Sequence, residues 1–183
     1  PPTPTPRPSM PTSTGRRGVW QAWGVMEARL TNVDVARDLF QRGLRRCPHH
    51  GALWQASAKL EGEAGDVERA RRIYCKGAEH CPLHASLLRA WAYFELHQGN
   101  ERMTTDLLRR AKLIEPDAGE HYFIQAQLEV KLAKVDAARR TLEAGLEVDP
   151  SHAPLYRVLG SLQDRAGDAE GARASFRRGI EFN

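Results

Sequence analysis

Residues 48–82 read PHHGALWQASAKLEGEAGDVERARRIYCKGAEHCP, one complete structural unit followed by the start of the next. Apolar residues recur at three- and four-residue spacing on both sides of Gly65-Asp66, which predicts helices over 52–64 and 67–79. Between them a residue suited to left-handed dihedrals precedes an N-cap oxygen, the chemistry of a tight helix-to-helix turn. Pro82 then stops the second helix, since proline cannot continue it and biases its predecessor away from helix.

The unit repeats. Pro48, Pro82, Pro116 and Pro150 lie 34 residues apart, and the columns between them recur: Trp20, Trp54, Leu88, Tyr122, Tyr156; then Glu27, Glu61, Glu95, Glu129, Gln163; then Ala36, Ala70, Thr104, Ala138, Ala172. Each member of the last column is followed by Arg37, Arg71, Thr105, Arg139 or Arg173. A fixed period of this length is the signature of a solenoid whose units contact only their neighbours. The expected fold is all-α, with units over 17–50, 51–84, 85–118, 119–152 and a shortened 153–183.

Several local expectations follow from the columns. Small residues (Gly24, Ala58, Ala92, Ala126, Gly160) stand where two helices must approach, and Phe40, Tyr74, Leu108, Leu142 and Phe176 fill the space between hairpins. Gly99-Asn100 and Gly167-Asp168 repeat the turn; Thr31-Asn32 keeps only the cap, and Ala133-Lys134 keeps neither, making the fourth turn the least well defined. Pro154 falls in the first turn of a helix capped by Ser151, where its missing N–H costs little. Thr104 and Thr105 break the Ala-Arg pattern in unit three; if they soften that hairpin, the array has a joint there.

With 41% hydrophobic and 27% charged residues the chain is of the soluble globular class, and no run approaches the roughly 18 apolar residues of a membrane span, so no membrane partner is expected. The formal charge is +4, with Arg7 and Arg16 in the tail, leaving a mildly basic body too weak to prove a polyanion partner. Residues 1–16 hold six of the eleven prolines and no acid, the composition of a disordered tail or linker; a transit-peptide remnant shares it. Cys47, Cys75 and Cys81 are an odd number and fit a reduced intracellular compartment; with His80 and His84 they lack paired metal-ligand spacing, so no metal is expected. The chain begins at Pro1 and ends at Asn183, one residue short of the next periodic proline, which suggests a fragment whose uncapped last hairpin, with Phe176, Ile180 and Phe182, could self-associate.

The Trp, small, Ala, aromatic and Pro offsets follow the tetratricopeptide pattern, except that Glu27, Glu61, Glu95 and Glu129 occupy a column where that family usually has Tyr. With the Ala36-Arg37, Ala70-Arg71, Ala138-Arg139 and Ala172-Arg173 pairs, the chain resembles the half-a-tetratricopeptide (HAT) variant over residues 17–183. The resemblance implies a right-handed α-solenoid and a place in RNA metabolism. The Trp20-Gln21-Ala22-Trp23-Gly24 opening is most similar to the chloroplast messenger-RNA maturation group, which binds single-stranded RNA; nuclear splicing and 3′-end processing proteins are the alternative.

The recurring Glu and Arg suggest an ion pair across each hairpin. They are spread one per repeat, so they do not converge on one pocket as acid/base chemistry needs. No phosphate loop, nucleophile elbow, zinc helix or dinucleotide turn is present, and neither catalysis nor a cofactor is expected.

In stacked hairpins the first helices line the concave face. The columns pointing away from the packing positions give a candidate groove of Gln21, Gln55, Arg89, Phe123 and Arg157, then Lys59, Tyr93 and Gln127, then Arg29, Lys131 and Arg165. Amides, guanidinium groups and two aromatics could pair with phosphates and stack on the bases of a single strand. The same surface could instead dock a peptide of another RNA-processing protein, making the chain a scaffold without RNA contact.

Overall fold

The structure, a computed structural model, describes residues 17–182; the Pro-rich stretch 1–16 and Asn183 lie outside the described residues. Among the described residues ten helices follow one another: α1 (Arg17–Arg29), α2 (Val33–Arg46), α3 (Gly51–Glu63), α4 (Val67–His80), α5 (Ala85–His97), α6 (Glu101–Ile114), α7 (Gly119–Lys131), α8 (Val135–Val148), α9 (Ala153–Arg165) and α10 (Ala169–Glu181). They form five antiparallel hairpins, and each odd-numbered helix also packs on the next odd-numbered one. Among the described residues, consecutive even-numbered helices bring no Cα atoms within 8 Å of one another, so they stand further apart than the odd-numbered ones. The architecture is an α-solenoid of helical hairpins.

Burial explains the two kinds of helix. α2 buries only Ala36, Leu39, Phe40 and Gly43, a single stripe at i, i+3, i+4 and i+7. α3, between two hairpins, buries Leu53, Trp54, Ser57, Ala58, Leu60 and Glu61 on two sides. Close approach is set by small residues. A Cβ on Gly24 would stand 2.3 Å from the Phe40 ring, and one on Gly160 would stand 2.8 Å from Phe176, whereas units with Tyr74, Leu108 or Leu142 opposite carry Ala58, Ala92 or Ala126. A second small column escaped the sequence reading: Gly43, Gly77, Ala111 and Gly145 sit on even-numbered helices, and a Cβ on Gly43 or Gly77 would meet the Cβ of Trp20 or Trp54 below 3 Å. The Trp54 indole donates to the Pro48 carbonyl at 2.7 Å and the Tyr156 hydroxyl to that of Pro150 at 3.1 Å, tying the aromatic column to the proline loops.

Four local expectations need correction. The fourth turn is as regular as the rest, because Ala133 itself adopts φ +56° and Lys134 N–H bonds the Glu129 carbonyl at 2.9 Å, as Asn100 N–H does with Glu95. Asn32 does not cap α2 with its side chain; its amide donates to Glu27 at 2.8 Å instead. Ser151 bonds Asp149, and His152 occupies the N-cap of α9 without a side-chain bond. In α3 and α5 a histidine does cap: the Nδ1 atoms of His50 and His84 accept from the N–H groups of Leu53 and Leu87.

The fourth correction concerns the Glu–Arg pairs, which cross between neighbouring hairpins rather than within one. Arg37 of α2 grips Glu61 of α3 (2.8–3.2 Å), and Arg71 of α4 grips Glu95 of α5 (2.7 and 2.9 Å). Both carboxylates are buried. Burial raises the Glu95 pKa, but donors from Arg71, Trp91 and Asn100 outweigh it and hold the group below its ordinary value. At the third junction Thr105 cannot reach, and Glu129 accepts instead from Gln125 and Thr141; at the fourth, Gln163 accepts from Ser175 and Arg139 turns to Asp136. Thr104 does not interrupt α6, since its hydroxyl donates to the Asn100 carbonyl at 2.9 Å.

Candidate functional site

The odd-numbered helices line one face, and a groove on it lies over α3 and α5. A groove of about 680 Å³ is bounded by Gln55, Lys59, Ser86, Arg89, Tyr93 and His97, with Tyr74 and Phe94 among its apolar lining. It continues into a 340 Å³ recess between α1 and α3 lined by Gln21, Val25, Arg29, Gln55 and Lys59. Six of the sequence-selected residues, Gln21, Arg29, Gln55, Lys59, Arg89 and Tyr93, are thus brought together on this surface.

The other five are not. Phe123 is 7% exposed and belongs to the core, so only one of the two aromatics read as exposed is available. Tyr93 stacks near it, with ring centroids 6.4 Å apart, and also meets the edge of His97. Gln127 is half-buried and lines neither recess; Lys131 is spent on the Leu96 carbonyl at 2.7 Å. Arg157 lies over the Phe123 ring and Arg165 is exposed further along.

The electrostatics are also more balanced than the columns suggested. The Arg89 guanidinium is largely buried, bonds Glu115 at 2.6 Å and donates to Ser86 at 3.0 Å; its hydrogen bond holds the Glu115 carboxyl below the usual range. Lys59 faces Glu63 at 3.7 Å, and Glu120 of α7 reaches the groove. Partial desolvation, with Lys131 adding to it, holds His97 below its ordinary value. The periodic reading could not find Glu115 and Glu120, because they sit in a loop and a first turn outside the chosen columns.

Among the described residues no group of three or more His, Cys, Asp or Glu could hold a metal ion, and no helix is long and apolar enough to cross a membrane. Cys47, Cys75 and Cys81 are all free.

Residues 123–182 match the tetratricopeptide repeat family. No curated protein matches the chain in sequence. Among solved structures it is similar to a thermophilic TPR protein of Thermus thermophilus, with 18% identity over 90% of each chain and a TM-score of 0.73. The pilF protein of Pseudomonas aeruginosa aligns with 15% identity over 91% of this chain and 76% of that one, at a TM-score of 0.75. MamA of Desulfovibrio magneticus aligns with 14% identity over 93% and 97%, at 0.66. At these identities the likeness shows the fold, an α-solenoid of helical hairpins, and the repeat match covers the last third of the chain.

Proposed function

We propose that this chain is a non-catalytic scaffold of an RNA-processing assembly, and that its concave groove docks an extended peptide segment of a protein partner. The carrying observation is the groove wall itself: amides of Gln55 and Gln98, hydroxyls of Ser86 and Tyr93, and both signs of charge from Lys59, Glu63 and Glu120. Such a wall suits a peptide backbone with mixed side chains better than a polyanion, which would need Arg89 released from Glu115. The RNA-processing setting rests on the HAT resemblance, which the buried Arg37–Glu61 and Arg71–Glu95 pairs support by giving its distinguishing columns a joint structural role. The chloroplast, with the nucleus second, comes from that resemblance alone.

Single-stranded RNA on the same face is the second reading, favoured by the exposed cations Arg29, Lys59, Arg157 and Arg165 and by the exposed Tyr93. One pair of measurements separates them. A displayed peptide library selected on the chain should yield binders that lose at least about tenfold in affinity on Tyr93→Ala, as a groove hot spot does, and lose nothing on Arg178→Ala outside it. Fluorescence anisotropy with a labelled mixed-sequence single strand should show little binding at physiological salt. Failure to select any groove peptide, together with single-strand binding whose log–log salt slope is about −3 to −4, as roughly five neutralised phosphates give, overturns the peptide reading in favour of RNA.

A further inference from the structure

We propose that the chain associates head to tail, the bare face of α10 in one copy receiving α1 of the next as though it were the following hairpin. The inference does not depend on the reading given to the groove.

The second internal junction shows what such a contact consists of. Arg71 of α4 bonds Glu95 of α5 at 2.7 and 2.9 Å. Tyr74 of α4 stacks on Trp91, with ring centroids 6.1 Å apart, and tilts against Phe94 at 5.5 Å. Leu87 lies over Gly77, where a Cβ would stand 3.1 Å from Leu87 Cδ2; Gly43 and Leu53, then Gly145 and Leu155, repeat that seat at the first and fourth junctions.

The two ends of the array each present one half of this set. α10 carries Arg173, Phe176 and Gly179 in the columns of Arg71, Tyr74 and Gly77, and α1 carries Val19, Trp23, Met26 and Glu27 in those of Leu87, Trp91, Phe94 and Glu95. Among the described residues Arg173 is exposed and makes no ion pair. Phe176 is 39% exposed where Tyr74 is 3%, and a Cβ on Gly179 would meet only Tyr156 and Ala153 of its own hairpin. With Ile180, 75% exposed, these residues wall a 330 Å³ recess. On α1, Met26 is 48% exposed, whereas Leu60 and Leu128 of the same column are buried.

Glu27 selects the occupant. It accepts from the Trp23 indole at 2.9 Å and the Asn32 amide at 2.8 Å, and the same two donors, Trp91 at 3.1 Å and Asn100 at 3.2 Å, hold Glu95. Unit one thus rebuilds the cradle of unit three with every donor except the arginine. In the completed pairs the arginine stands 24 residues before its glutamate. Counting back from Glu27 by the same step reaches Thr3, in the stretch that holds six of the eleven prolines, so the period supplies Glu27 no arginine. Among the described residues, the hairpin that offers an unpaired arginine with an aromatic and a glycine at the matching steps is that of α9 and α10, and a second copy can bring it there. Opposite charges set in an apolar seat fix the register of such a contact. Because the two faces differ, each added copy leaves a free face of both kinds, which gives an open series of oligomers rather than a two-fold dimer.

The test is sedimentation velocity of the whole chain from about 1 to 100 μM, a range that resolves associations of modest affinity. The weight-average sedimentation coefficient should climb continuously with concentration. Arg173→Glu and Glu27→Arg should each weaken association at least about tenfold, since like charges then meet at the contact. Mixed in equal amounts the two variants should associate again, because the intact α1 face of Arg173→Glu meets the intact α10 face of Glu27→Arg; a variant that had merely lost its fold would not be rescued. Ile180→Asp, which leaves the ion pair alone, should weaken association as well. A chain that stays monomeric over the range, a dimer that does not grow, association indifferent to Glu27→Arg, or variants that remain apart when mixed overturns the proposal.

Discussion

Replacing Arg71 by Met tests whether the inter-hairpin ion pairs hold the repeats in register. The Arg71 Nε and Nη2 donate to Glu95 at 2.7 and 2.9 Å, and Glu95 is 0% exposed. Removing one partner of a buried pair typically costs about 3–5 kcal/mol, because a carboxylate stays in low dielectric without its counter-charge. The Arg71 side chain is 32% exposed, so water relieves part of this, and about 3 kcal/mol is expected at pH 7. For a chain of this length that is a fall in Tm of roughly 6–12 °C. Because solenoid units couple mainly to neighbours, amide hydrogen exchange should show the loss concentrated in α4 and α5. The pH dependence has a defined sign. In the wild type the folded Glu95 pKa is lowered, so its contribution is present above the unfolded carboxylate pKa and is lost as pH falls through the folded value. In Arg71→Met burial dominates and raises that pKa, so the penalty grows as pH rises past about 4 and fades in acid. Adding Glu95→Gln, the residue type that Gln163 already supplies in unit five, keeps an acceptor for Trp91 and should recover half or more of the loss. A single variant within about 1 kcal/mol of wild type, or a double variant less stable than the single, would refute the reasoning.

Three further outcomes follow. Thr105→Arg should return the missing partner to Glu129 and gain about 0.5–1 kcal/mol, read as a higher urea midpoint with unchanged slope. Gly24→Ala should lose about 1–3 kcal/mol through overlap with Phe40, and Phe40→Leu should rescue it, since unit three already pairs Leu108 with Ala92; urea unfolding of the single and double variants checks this, and simple additivity would sink it. His121 has a folded pKa below its unfolded value, so the stability tied to its neutral form is complete above about 6.5 and is lost as pH falls; His121→Leu should flatten that part of the Tm–pH curve.

The hairpins were legible because a 34-residue period forces each helix into the same surroundings, and residues that serve packing then recur in columns. Gly24 and Phe40, or Ala92 and Leu108, are examples in which even the compensation between columns is written in the sequence. Periodicity says less about partners. Each Glu and each Arg column was visible, but the choice between a pair within a hairpin and one across a junction depends on the rotation of one hairpin on the next, which no single column encodes. The columns do not decide between the two registers: Thr105 and Gln163 leave two incomplete pairs whether Glu and Arg are matched within a hairpin or across a junction. The groove was read from columns too, and so missed the off-period Glu115 and Glu120 and overcounted the available Phe123. Function in a repeat protein accumulates where the period is broken. His121 is the plainest instance, a buried polar residue in a column that elsewhere holds Val19, Leu53, Leu87 and Leu155, tied through its Nε2 to the Glu115 carbonyl of the preceding loop.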